Sequence, residues 1–101
     1  MTRNLTALLV DDVGLNLDEL AAGCAVSREW VIERVEAGLL ERETFREEWK
    51  FSGSELLRAR RMRALERDFE ANPELAALTA DLFEEVERLR TRLRRAGVSM
   101  E

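Results

Sequence analysis

Leu17-Asp18-Glu19-Leu20-Ala21-Ala22-Gly23-Cys24-Ala25-Val26-Ser27-Arg28-Glu29-Trp30-Val31 reads as a short helix, a tight turn and the start of a second helix. Asn16 stands before it with Glu19 three residues on, a capping-box start, and Asp18 adds negative charge to the first turn. Leu17, Leu20 and Ala21 share one face. Gly23 is expected to stop the first helix through its freedom to take positive φ. Ser27 caps the second helix, Val31 and Val35 fall on its inner side, Val26 fits between the helices, and Gly38 ends the pair. A helix that enters a DNA groove needs positive charge. This one carries Glu29, Glu33 and Glu36 on one outward face. That sign favours a basic protein partner over a duplex.

Outward from this stretch the period changes. Phe45, Trp49 and Phe51 lie among Glu, Arg and Lys, and Trp49 and Phe51 alternate with Lys50, as in a strand with one buried face. Residues 41–51 are therefore expected to form a two-stranded wing, with Trp49 and Phe51 anchoring it to the core. Ser52-Gly53-Ser54-Glu55 is a capping box for a third helix with apolar positions Leu56, Leu57, Met62, Leu65 and Phe69. The helix also carries Arg58, Arg60, Arg61, Arg63 and Arg67, expected to pair with acids of the same helix four residues away. Asn72-Pro73 starts a last helix, closed by Gly97. In it Leu75, Leu82 and Leu89 recur every seven residues, interleaved with Thr79, Val86 and Leu93, as in a coiled-coil seam. Leu82, Val86, Leu89 and Leu93 are expected to join two copies; the alternative is that the stripe packs on its own domain. Upstream, residues 1–14 suit a short strand that pairs with the wing, with a helical turn as the alternative.

Composition narrows the function classes. The chain has 101 residues, 46% hydrophobic and 37% charged, with net charge −5. It divides into an N-terminal segment (1–14), a helical and winged module (15–70) and a C-terminal helix (71–101). Residues 1–57 hold 12 acids and 6 bases, so the acid sits where a DNA-binding module would concentrate base. There is no histidine, the commonest general base and metal ligand, and no glycine-rich phosphate loop. The single Cys24 offers no thiolate cluster for zinc and reads as a small packing residue. No enzyme activity, metal or cofactor is expected. No apolar run approaches a membrane span or a signal-peptide core, so a cytoplasmic location is expected.

Ser27 through Gly38-Leu39-Leu40, followed by a wing, resembles the MerR family of winged helix-turn-helix regulators. Aligned on Gly38, the positions those regulators turn toward DNA fall on Ile32, Glu33 and Arg34, of which only Arg34 suits DNA. The chain is more similar to the chaperone-modulator family CbpM over roughly residues 17–95. The likeness rests on Val26-Ser27, the acidic second helix with Glu33, the Gly38-Leu39-Leu40-Glu41 exit and the Trp49-Lys50-Phe51 strand. It continues in the arginine-rich Leu56 to Leu65 segment and in Ala76-Ala77-Leu78 and Glu87-Arg88-Leu89-Arg90. Arg42 stands where members often have proline. The resemblance implies a mainly α fold: a MerR-like winged helix-turn-helix, a small two-stranded wing and a long C-terminal helix. It implies binding to the J-domain of a DnaJ-like, curved-DNA-binding co-chaperone (CbpA type) and inhibition of its stimulation of Hsp70. Glu29, Glu33 and Glu36 would face that partner's basic helix, flanked by Trp30 and Ile32; Trp30 suits the core equally well. The alternative function is a MerR-like DNA-binding transcriptional regulator using Arg28, Arg34 and the third-helix arginines. A third is an oligomerisation module with no other partner.

Overall fold

A computed structural model describes residues 13–97. Its elements run β1 (Val13–Leu15), α1 (Leu17–Cys24), α2 (Arg28–Glu36), β2 (Glu43–Phe45), β3 (Glu48–Ser52), α3 (Gly53–Phe69) and α4 (Pro73–Arg95). The fold is mostly helical, with a winged helix-turn-helix and a long C-terminal helix. The wing gains a third strand: β1 joins the hairpin, in the antiparallel order β1-β3-β2. Leu15 lies opposite Phe51, and Thr44 opposite Trp49. The strand that pairs with the wing is thus Val13–Leu15; residues 1–12, including the alternation around Leu5 to Val10, lie outside the described residues.

Every helix starts where a capping side chain stands. Asn16 accepts from the Glu19 N–H at 2.8 Å and Glu19 returns the bond to the Asn16 N–H at 2.9 Å. Ser27 and Asn72 accept from the Trp30 and Leu75 N–H groups. Each such cap contributes about 1 kcal/mol. The Ser52 cap is only half a box. Ser52 Oγ accepts from the Glu55 N–H, but the Glu55 carboxylate turns away to the Glu41 N–H at 3.0 Å and ties the helix-turn-helix exit to α3.

The first helix end differs from expectation. α1 runs through Gly23 to Cys24, and the left-handed residue is Ala25, with φ 58°. Gly23 lies inside the helix against α3: a Cβ on it would come within 2.9 Å of Leu56 Cδ1, so the Leu56 side chain would have to shift to admit one. The glycine lets α1 and α3 approach closely. Gly38 and Gly97 do take positive φ, at 79° and 80°, after α2 and α4.

The core gathers Leu20, Ala21, Cys24, Val31, Leu40, Phe51, Leu56, Ala59 and Met62, joined by Ala76, Ala77 and Ala80 of α4. Trp49 meets Phe51 edge to face, centroids 6.4 Å apart, and anchors the wing. Cys24 is buried, and desolvation pushes its thiol up to about 11 against the weaker pull of Arg60 and Arg63. It stays a neutral packing group. Two expected apolar positions of α3 face water: Leu57 is exposed, and Phe69 at the helix end is 75% exposed.

Candidate interaction face

Counting 100° per residue along α2, Val31 and Arg34 point into the module while Glu29, Glu33 and Glu36 cluster on the other side. Val31 is fully buried, and all three glutamates are exposed. Glu29 and Glu36 make no ion pair among the described residues, and Glu33 reaches Arg34 at 3.3 Å with most of its carboxylate in water. Ile32, half-buried, sits at the edge of this acidic strip.

Trp30 and Arg34 face the other way, into one polar knot. Arg34 is 7% exposed. Its guanidinium lies 4.0 Å above the Trp30 ring and donates to both Glu66 oxygens, from Nε at 3.2 Å and Nη2 at 2.9 Å. Nη1 reaches the Trp30 carbonyl at 3.1 Å, and Trp30 Nε1–H donates to Glu66 at 3.1 Å. Planar fork and carboxylate are matched, so the charges are satisfied rather than stranded. The knot fastens α2 to α3. Sequence reasoning missed Glu66 as its centre, because 32 residues separate it from Arg34. Trp30 therefore serves the fold, which leaves Ile32 as the apolar group beside the strip.

The arginines of α3 are also engaged, though not with acids four residues away. Arg58 donates to Asp81 at 2.7 Å, to Glu84 and to the Leu39 carbonyl. Those pairings hold its charge against the desolvation it suffers there, and raise its pKa. Arg61 reaches Glu87 at 3.2 Å and covers the Phe83 ring. Arg60 and Arg63 donate to the Gly23 and Ala25 carbonyls, at 2.9 and 3.2 Å, and so close the negative end of α1. Arg67 pairs with its neighbour Asp68. Arg28 pairs with Asp18 at 2.6 Å. Beside that pair runs a groove between the starts of α1 and α2 and the wing, lined by Leu17, Asp18, Arg28, Glu47, Glu48 and Trp49. Its rim adds three carboxylates that the helical period of α2 could not reveal.

α4 has two apolar sides. Ala76, Ala77 and Ala80 are buried with α3, and small side chains let the helices approach closely. The large residues look out: Leu75, Leu78, Leu82, Val86, Leu89 and Leu93 are 39–59% exposed. The stripe does not pack on its own module.

Among the described residues no three His, Cys, Asp or Glu side chains are placed to hold a metal. Nor is any described helix long and apolar enough to cross a membrane.

Comparison with known proteins agrees with this architecture. The model of the MerR HTH family regulatory proteins matches residues 15–96. The chain is 38% identical over 81 residues to the chaperone modulatory protein CbpM of Coxiella burnetii strain Dugway 5J108-111, covering 79% of this chain and 76% of that one. The same values hold for the CbpM proteins of strains RSA 331 / Henzerling II and CbuG_Q212. The chain belongs to the CbpM family of MerR-like proteins. No solved structure matches it. As a CbpM-family protein it is a chaperone modulator on a MerR-like scaffold, and both family names describe a regulatory rather than an enzymatic protein. In this CbpM-like chain both arginines of α2 are engaged, Arg28 with Asp18 and Arg34 inward on Glu66.

Proposed function

We propose that this protein acts in the cytoplasm by binding the J-domain of a DnaJ-like co-chaperone and blocking its stimulation of Hsp70. The observation that carries this reading is the state of charge on α2: Glu29, Glu33 and Glu36 stand in water while Arg34 is buried on Glu66. A J-domain offers Hsp70 a basic helix, and an acidic strip beside Ile32 complements it. Such complementarity speeds encounter and selects partners, while an apolar contact slows release. Of the groove carboxylates, Asp18 and Glu48 are paired with Arg28 and Lys50, and Glu47 extends the same sign toward the wing.

The test is a Glu29→Lys/Glu33→Lys/Glu36→Lys variant in an assay of J-domain-stimulated Hsp70 ATPase. It is expected to keep the wild-type circular dichroism spectrum, since exposed substitutions change stability by about 0.5 kcal/mol or less each. Inhibition should be lost, with the wild-type effect weakening as salt rises. Undiminished inhibition across a salt series would place the interface elsewhere. The DNA-binding alternative has little to draw on, because Arg28, Arg34 and all five α3 arginines already have partners. A mobility shift of duplex DNA near physiological salt should be absent.

The same reading includes a homodimer joined through Leu82, Val86, Leu89 and Leu93. Their exposure in a single copy supports it, since each large side chain gains roughly 1.5–3 kcal/mol on full burial. Leu89→Glu should halve the mass measured by light scattering.

A further inference from the structure

α2 begins where a cleft opens. Between the starts of α1 and α2 and the tip of the wing lies a groove of about 380 Å³. It is built differently from the strip on α2. Leu17 and Trp49, both half-buried, give it an apolar wall. Most of its charged rim is already paired: Asp18 holds Arg28 at 2.6 Å, and Glu48 holds Lys50 at 3.6 Å. Glu47 is different. It is exposed and makes no ion pair among the described residues.

We propose that this groove takes one arginine or lysine side chain from the basic helix of the J-domain, with its methylene stem against Leu17 and Trp49 and its cationic head at the Glu47 carboxylate. This rests on the J-domain reading above and gives that face a second, side-chain-sized subsite.

The match is chemical. A long cationic side chain has an apolar stem, which gains by leaving water, and a charged head, which must stay hydrated or find a partner. One apolar wall with one unpaired carboxylate at its open end fits that division. A purely apolar side chain would cover Glu47 without pairing it, and an anion would be repelled by it. The indole already serves one guanidinium: Arg42 lies 5.0 Å from the Trp49 ring, and Arg42 does not line the groove.

The placement fits as well. Glu36, Glu33 and Glu29 span two turns of α2, about 10 Å. A basic helix lying along them brings its next cationic side chain past Glu29 to Arg28, which is where the groove opens. Arg28 would repel that side chain if it were free. Its bond to Asp18 turns it onto α1 and offsets its charge.

Glu47 is not there for the turn that carries it. Arg46 and Glu47 form the two-residue link between Phe45 and Glu48, both left-handed, with φ 53° and 66°. Such a link favours asparagine followed by glycine. Glycine at 47 would suit the hairpin better, so a structural role and a binding role for this glutamate predict opposite outcomes.

Surface plasmon resonance of the full chain on an immobilised J-domain of the DnaJ-like co-chaperone tests the subsite, with circular dichroism checking each fold. Glu47→Gln should weaken binding about five-fold at low salt. Glu43→Gln is the control: Glu43 is also exposed and on the wing, but it does not line the groove, and its loss should change binding less than two-fold. Glu47→Gly should melt at a higher temperature than wild type and still bind as weakly as Glu47→Gln. Equal losses from Glu43→Gln and Glu47→Gln would show a general effect of net charge and overturn the subsite. So would a Glu47→Gly variant that melts lower, or one that binds like wild type. A Glu47→Gln variant that binds like wild type, beside a Glu29→Lys/Glu33→Lys/Glu36→Lys variant that does not, would overturn the groove and leave the strip standing. A wild-type chain that does not bind the J-domain at all would instead overturn the J-domain reading itself.

Discussion

α2 and α3 carry opposite charges, but they differ more in what those charges do. The α2 glutamates stand in water with little to hold, whereas four of the five α3 arginines are bonded to another part of the fold and the fifth, Arg67, pairs with its neighbour Asp68. The sequence already sets the α2 acids toward a partner and the α3 arginines in pairs along their own helix. The structure moves four of those arginines onto other elements, so the basic helix is a structural clamp, and the acidic helix holds the charge available to a second molecule. What a surface offers is set by which charges remain uncompensated.

The strongest way to break this contrast is at the knot. Glu66→Ala leaves the Arg34 charge buried without its carboxylate and should cost about 3–5 kcal/mol in urea unfolding. A loss under 1 kcal/mol would mean that Arg34 swings out to water, and the basic face of α2 would be restored. A smaller effect is expected at the clamp. Arg60→Ala/Arg63→Ala opens two carbonyls at the end of α1 and should cost about 1–3 kcal/mol by the same measurement. Inhibition per folded molecule should not change, which separates the clamp from the acidic strip.

The smallest effect sharpens the comparison within α3 itself. Burial raises the Glu55 carboxyl above its usual range, against the bond from the Glu41 N–H and the attraction of Arg58, which lower it. The folded chain therefore takes up this proton before the unfolded chain as pH falls. The contribution of Glu55 to stability rises as pH drops from neutral through the raised pKa, and levels off below the unfolded value. Glu55→Gln keeps an acceptor for the Glu41 N–H without the charge. Thermal melts should show it equal to or slightly more stable than wild type at pH 7, with the gap closing toward pH 4.

Local signals were legible because their physics is local. The caps at Asn16, Ser27, Ser52 and Asn72, the left-handed glycines Gly38 and Gly97, and the Trp49–Phe51 alternation each depend on a few neighbouring residues. Gly23 misled for the same reason. A glycine late in a helix looks like a stop, and nothing nearby in the sequence announces that Leu56 needs its space. The α3 arginines misled likewise, since four-residue spacing to acids is visible in the chain while the carbonyls of Gly23 and Ala25 are not.

The sequence by itself determined the helix-turn-helix, the acid of α2 and the heptad stripe of α4. All are matters of period and composition along one element. Only the tertiary structure decided that Arg34 and Trp30 turn inward onto Glu66, that the strand completing the wing is Val13–Leu15, and that α4 spends its alanines on the core and keeps its leucines outside. Those outcomes depend on groups tens of residues apart competing for the same buried space, where a charge must find its partner or stay in water.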